Sequence, residues 1–441
     1  MRMIKTIFKN YSNSKFVKNL SWIFFGNIAH AVLQFLLNII CARAFGTNDY
    51  GLINYGASLI AFFTAIGTFG FRGVITKFFA ENEDNAGELI GTGIYTRLGF
   101  SVISIILLQI IISFSAKTDS QIRLVVFCQS LQILFASSDL FQYWFRYKSE
   151  AKIVAILRLA AFFICAVWKI IAILVYHDIV LYVIGVSLET GFFTTFQLIQ
   201  FKKEYGKYRL KFNMEIFKKM IRISYPFIFS AILVTIYGQT DKIMLKSMLD
   251  NTAVGLYSVS LTIAAIISII PTALIEGYRP DIMSFKITNQ AKYRRRLQQL
   301  YGLVFWICVA YCLFISVFTK PIVSILYGEQ YMGAVSSLSI VVWYTAFSYF
   351  GAINNVFMVA ENKTKWVQIS ALAGASLNVV FNFMLIPSLG IVGAAIASLA
   401  TQILANFVML LVVPALRDAF IIVIEGIALK GFAGTAMIGK K

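Results

Sequence analysis

Several ionisable side chains stand inside otherwise apolar stretches of this sequence: Arg97, Asp139, Arg158, Lys169, Glu189, Asp241, Lys242 and Glu276. A charge at the centre of a bilayer costs about 2.5–3.5 kcal/mol on insertion scales, so it faces a partner or a polar cavity. The basic members suit an anionic ligand. Arginine presents a planar fork of donors that matches phosphate and it does not deprotonate. Arg97 and Arg158 each lie about two turns from the same side of the membrane, and Lys169 follows Arg158 by about three helical turns, on nearly the same face. The spacing predicts a basic ladder of Arg97, Arg158 and Lys169 that could take up a phosphate-bearing group and pass it along. Snorkelling to the interface is the competing explanation for the two arginines.

The acidic members need partners as well. Glu189 is too deep to snorkel; it either pairs with Arg158 or Lys169 or takes up a proton, which makes it the candidate for ion coupling. Asp139 is expected to pair with Arg97 or Arg158. Asp241 and Lys242 adjoin an outer turn and are expected to form a gate or hairpin-stabilising ion pair. His30, in mid-span, is read as a hydrogen-bonded packing residue. Gly67 and Pro271 are candidate hinges, because glycine weakens a helix and proline removes a backbone hydrogen bond. There is no GxxxxGK[ST] phosphate loop. The five cysteines form no CxxC pair and there are two histidines, so no metal, cofactor or catalytic cluster is expected.

The elements that position these residues follow from composition. Of 441 residues, 59% are hydrophobic and 13% charged, against roughly 45–50% and about 25% in soluble domains. Apolar windows at 18–42, 50–72, 89–114, 122–145, 152–176, 179–200, 219–241, 253–279, 297–319, 333–359, 366–387 and 390–414 predict an all-α integral membrane protein of about twelve spans. The net charge of +19 reflects lysine and arginine held in cytoplasmic loops, with an inside-to-outside bias of roughly five to one when both termini are cytoplasmic. That reading leaves no role for nucleic acid, while the basic loops could meet membrane lipid. Trp22, Trp144 and Trp366 are expected in the inner interfacial belt. The expected domains are a six-helix lobe at 1–200, a basic cytoplasmic linker at 201–218, a second six-helix lobe at 219–415 and a cytoplasmic tail at 416–441, interfacial or loosely attached. A shift of 204 positions lays Gly51-Leu52 on Gly255-Leu256, Ser58 on Thr262 and Gly67 on Pro271. Two halves starting from the same side imply a parallel pseudo-repeat, an architecture found in secondary transporters.

Three segments then carry a family resemblance. Residues 378–397, NVVFNFMLIPSLGIVGAAIA, resemble the "LN…L…IP…GI.GAAIA" hairpin of polysaccharide flippases. Gly238-Gln-Thr-Asp241-Lys242-Ile-Met-Leu with Val254-Gly255-Leu-Tyr-Ser is similar to their "G..D+.ML…VG.YS" pattern. Ala42-Arg43-Ala-Phe-Gly46 with Tyr50-Gly51 resembles their first-hairpin "AR.LG…YG". On twelve spans and in this order, the chain resembles the Wzx-type O-antigen and capsule repeat-unit flippases of the multidrug/oligosaccharidyl-lipid/polysaccharide superfamily. The resemblance implies a MATE-like fold of two lobes, alternating access, and translocation of undecaprenyl-pyrophosphate-linked glycans across the bacterial inner membrane. It also implies a cationic central cavity, proposed ion-gradient coupling, and polysaccharide polymerase and chain-length proteins as partners.

Other functions fit less well. A multidrug or organic-cation antiporter on the same fold needs an acidic, aromatic cavity, whereas the first half is at least as basic as acidic. A polymerase or acyltransferase needs a long outer loop or a His/Asp cluster, and both are lacking. A peptidoglycan-precursor flippase usually carries two further spans.

Overall fold

The computed structural model describes residues 15–68, 70, 75–81, 85–114 and 120–432. Among the described residues every regular element is helical. Among the described residues, nine helices are long and apolar enough to cross a membrane. The chain forms two compact units, 1–235 and 236–441, with the boundary inside a helix beyond the expected linker.

The first unit contains α1 (Lys15–Gly67), α2 (Ile75–Glu81), α3 (Ala86–Phe114), α4 (Ser120–Ala136), α5 (Leu140–Tyr147), α6 (Ala151–Leu174) and α7 (Ile179–Tyr205). α1 packs against α3, α4 and α6, and α7 against α4 and α6. The packing is the reverse of a water-soluble bundle. On α3 the buried residues include Gly91, Thr92, Gly93, Thr96, Ser101 and Ser104, while Ile103, Ile106, Ile111 and Phe114 are exposed. Lipid tails are as apolar as a core, so large side chains gain nothing by turning inward, and small ones let helices approach. α6 repeats the pattern, with Ala161, Cys165, Ala166 and Ala172 inside and Phe163, Val167 and Leu174 outside. At one end, Trp144 is fully buried and meets the rings of Phe79, Tyr147, Tyr205 and Tyr208 at 5.2–5.7 Å. It is therefore the centre of an aromatic core and not a belt residue; the turn at 137–139 ends α4 and directs α5 inward.

The linker is fixed in place. Asn213 donates from its backbone N–H to Thr92 Oγ1 (2.9 Å) and from its amide to Glu88 Oε2 (2.9 Å). Gly87 and Gly91 leave room for the backbone of Arg209 and Lys211 against α3.

The second unit takes its first residues from α8 (Met214–Met248), which begins in the first unit. It continues with α9 (Asn251–Ala264), α10 (Ile269–Thr288), α11 (Gln290–Val317), α12 (Thr319–Tyr327), α13 (Ala334–Ala360), α14 (Lys365–Ile403), α15 (Met409–Val412) and α16 (Arg417–Ile427). Asp250 caps α9 by accepting from the Ala253 N–H at 2.8 Å. α13 is central, packing on α9, α11 and α14. Gly393, Ala397, Thr401 and Ala405, small residues at i,i+4 spacing, are buried.

The described part of the C-terminal segment, 416–432, is docked, where the sequence predicts an interfacial or loosely attached tail. α16 docks along α11, where Glu425 accepts from Arg294 (2.7 Å) and Gln298 (2.8 Å), and the Trp306 indole donates to Ile427 O. Glu425 interrupts an apolar run too short to span because it serves as this anchor. The Arg294 hydrogen bond holds the Glu425 carboxyl below its ordinary pKa.

Two glycines set the hairpins. Gly46 (φ 75°, ψ −179°) divides α1, and Gly390 (φ 58°, ψ −134°) divides α14 three residues after Pro387. These conformations are open to glycine and strained for other residues. Gly46→Ala and Gly390→Ala should each cost about 1–3 kcal/mol. Gly99→Ala, within α3 and with nothing in contact range of the added methyl, should be neutral or slightly stabilising. Thermal unfolding in detergent reads the difference; equal midpoints for all three would refute the assignment of strain.

Candidate functional site

Among the described residues of the first unit, Arg97 pairs with Asp139 and Lys169 with Glu189, while Arg158 contacts no carboxylate. Arg97 on α3 is 2% exposed and bonds Asp139 in the α4–α5 turn. Asp139 stands at the cap position of α5 but makes no side-chain cap bond; its carboxylate goes to Arg97 instead. Lys169 on α6 has no exposed surface, and its ammonium bonds Glu189 Oε2 on α7. The other Glu189 oxygen lies 3.1 Å from His30 Nε2 on α1. The His30 ring packs edge-on against Phe162 at 5.4 Å. Lys169, Glu189 and His30 therefore tie three helices together. Removing one partner of a buried pair leaves an uncompensated charge and typically costs 3–5 kcal/mol.

Arg158 is different. Its two terminal nitrogens donate to Asn27 Oδ1 (3.4 Å) and Gln142 Oε1 (3.2 Å), both neutral amides. Its guanidinium lies 4.9 Å over the Phe193 ring. The crevice beside it, bounded by Gly26, Asn27, Arg146 and Ala155, has a volume of about 10 Å³, room for about one water molecule. Asp139 and Glu189 lie within electrostatic reach. The structure therefore does not present the expected ladder as three free cations: Arg97 and Lys169 are neutralised in place, because a low-dielectric interior holds a cation only beside a counter-charge.

In the second unit the expected Asp241–Lys242 ion pair gives way to a different arrangement. Asp241 is 7% exposed. Its Oδ1 accepts from the amides of Asn378 (3.0 Å) and Asn382 (2.7 Å), and its Oδ2 from the hydroxyls of Tyr257 (2.7 Å) and Ser398 (2.5 Å). Neighbours on a helix diverge by about 100°, so adjacency in sequence does not bring Lys242 to the same carboxylate. Asn378 also donates to Ser398 Oγ (3.2 Å), and Asn382 to Asn378 Oδ1 (3.1 Å). Asn378, Asn382, Ser398 and Tyr257 escaped the search for charged residues. Two asparagines one turn apart in an apolar span were the available signal, since amides there need hydrogen-bonding partners. Glu276 lies on an exposed part of α10, 3.2 Å from Arg279.

The hinge candidates sit at irregular points of the backbone. Gly67 is the last residue of α1, and a methyl there would stand 3.0 Å from Ile133 and 3.2 Å from Ser101. It is a helix end in close packing, not a flexible mid-helix point. Pro271 occupies the first turn of α10, directly after the 3₁₀ segment Ala265–Ser268. With no N–H to give Ile267 and a ring that crowds that carbonyl, proline accounts for the change of helix type.

Two units of apolar helices with paired charges inside define a multi-pass membrane protein with a transporter fold. A solved structure of the lipid II flippase MurJ, in an inward closed conformation, superposes with a TM-score of 0.72 at 14% identity, covering 95% of this chain and 92% of that one. An inward-facing MATE-family multidrug resistance transporter of the MOP superfamily gives 0.66 at 14%, covering 88% and 96%. At this identity the likeness is one of fold. In sequence, the profile of the polysaccharide biosynthesis protein family matches residues 16–276, and the chain belongs to that family. The MatE profile matches residues 226–384. The capsular polysaccharide biosynthesis protein CapF of Staphylococcus aureus is 21% identical over 403 residues, 88% of this chain and 97% of that protein. The probable flippase AglR of Haloferax volcanii is 25% identical over 181 residues, 40% and 38% of the two chains.

A double-mutant cycle tests the central pair. Glu189→Leu and Lys169→Met should each destabilise the protein by about 3–5 kcal/mol, and the double variant should recover most of that loss. Additive losses in thermal unfolding would show that the two groups do not depend on each other.

Proposed function

We propose that this protein is a flippase that carries lipid-linked saccharide units across the bacterial cytoplasmic membrane for assembly of a surface polysaccharide. Family membership and the likeness to CapF support the polysaccharide context, and the likeness to CapF favours capsule over O-antigen. The observation that carries the reading is Arg158: a guanidinium inside a span, held by two neutral amides on facing helices. Such a group is oriented but not charge-compensated by contact, and phosphate is the ligand that best matches its fork. An undecaprenyl-pyrophosphate headgroup would exchange those amide bonds for charge-assisted ones. Arg97 and Lys169 would join only as the phosphates displace Asp139 and Glu189, or as Glu189 takes a proton. The carboxylates thereby keep the deeper cations occupied until substrate arrives, and the site can be exposed to either side in turn. The small crevice beside Arg158 belongs to a state that has yet to open. The distribution of lysine and arginine favours both termini on the cytoplasmic side. An organic-cation antiporter is less favoured, since both intramembrane carboxylates of the first unit are already bound to cations.

Arg158→Ala should abolish surface polymer while the protein still reaches the membrane in normal amount, and Arg158→Lys should restore a part of it. Immunoblots of membranes beside polymer staining read both. Wild-type polymer from the alanine variant would overturn the assignment.

A further inference from the structure

The corner between α10 and α11 holds a cavity of about 310 Å³ lined by Phe285, Lys292, Arg295, Arg296 and Gln299. Its size falls at the lower end of the range for small-ligand pockets. It is separate from the charged groups described above and belongs wholly to the second unit. The neighbouring basic residues already have partners. Lys286 is 2.5 Å from Glu361, and Arg294 is 2.7 Å from Glu425. Arg296 meets Asp281 at 3.3 Å and Gln299 at 3.1 Å. Lys292 and Arg295 meet no carboxylate among the described residues. Lys292 reaches over the Phe285 ring at 5.6 Å. Arg295 donates from Nε to Gly431 O at 3.0 Å, and its Nη2 is buried without a hydrogen-bond partner. Gly431 O is shared with the Gln299 amide at 3.0 Å, so the docked C-terminal segment fixes two of the lining side chains.

We infer that this cavity binds a phosphate-bearing anion, in first place the headgroup of an anionic phospholipid. Three cationic side chains face one hollow, Asp281 offsets one of them, and the Arg295 guanidinium is held rigid with donor capacity unspent, the condition for charge-assisted bonds to phosphate oxygens. The depth also fits. Phe285, Lys292, Arg295 and Arg296 sit between the apolar windows 253–279 and 297–319, with Gln299 just inside the second, where two spans leave the hydrocarbon on the side marked cytoplasmic by charge. Basic pockets between spans at that level suit anionic headgroups.

The test uses the full-length protein in nanodiscs. Wild type, Lys292→Gln, Arg295→Lys and, as an exposed basic control on α7, Lys203→Gln are compared in phosphatidylcholine with and without phosphatidylglycerol. Native mass spectrometry counts retained phosphatidylglycerol, and thermal unfolding is followed while inorganic phosphate is titrated in pure phosphatidylcholine. The cavity variants should retain phosphatidylglycerol roughly tenfold less than wild type, with the control unchanged. A saturable phosphate-induced stabilisation lost in the cavity variants, with phosphatidylglycerol retention unaltered, would identify a soluble phosphate as the occupant. Cavity variants indistinguishable from Lys203→Gln in both measurements would overturn the inference. Lys292→Gln changes an exposed side chain with no hydrogen-bonded role, so misfolding would not mask the result.

Discussion

Lys169 has no exposed surface, and its ammonium is neutralised by Glu189. The first unit is arranged around that pair. Glu189 reaches from α7 to Lys169 on α6, and its second oxygen draws in His30 from α1. Arg97 and Asp139 repeat the solution between α3 and the α4–α5 turn. In the second unit a carboxylate is satisfied in another way, by neutral amides and hydroxyls around Asp241. Each arrangement crosses helices that apolar contact alone would leave free to slide, because lipid competes equally for their large side chains.

The same balance connects packing to function. Small residues set the distance between helices, and polar bonds set their register. A transported anion can act on such a structure through the polar bonds, because charge answers charge more strongly than methyl groups tell protein from lipid. Arg158, with amides for partners, is where the first unit can gain an anion without first losing one. The aromatic core around Trp144 and the strap formed by Asn213 hold the ends of the helices that carry the charged residues.

Much of this was readable from residue order. Helical spans follow from apolar windows, and charges inside them announce polar contacts, because the bilayer makes both expensive to violate. Partner identity was harder to read. Lys169 and Arg158 look alike as positive groups on one helix, yet one is neutralised and the other is not, a difference fixed by where α7 places Glu189. Asp241 and Lys242 are adjacent in the chain and diverge in space, while the asparagines that hold Asp241 lie more than a hundred residues away. Trp144 resembled an interfacial anchor until the break at 137–139 turned α5 inward. The 416–441 segment resembled a loose tail because its anchor, Glu425, is a single residue whose partners are on α11.

The four bonds on Asp241 carry a mechanical consequence. They come from α9 and from both halves of the divided α14, so a shift of α8 by one residue, about 1.5 Å along its axis, would strain them together. Convergence of this kind suppresses gradual creep: the helix is either seated or released. Displacement within that part of the bundle would then proceed in discrete jumps, with one acidic side chain acting as the detent.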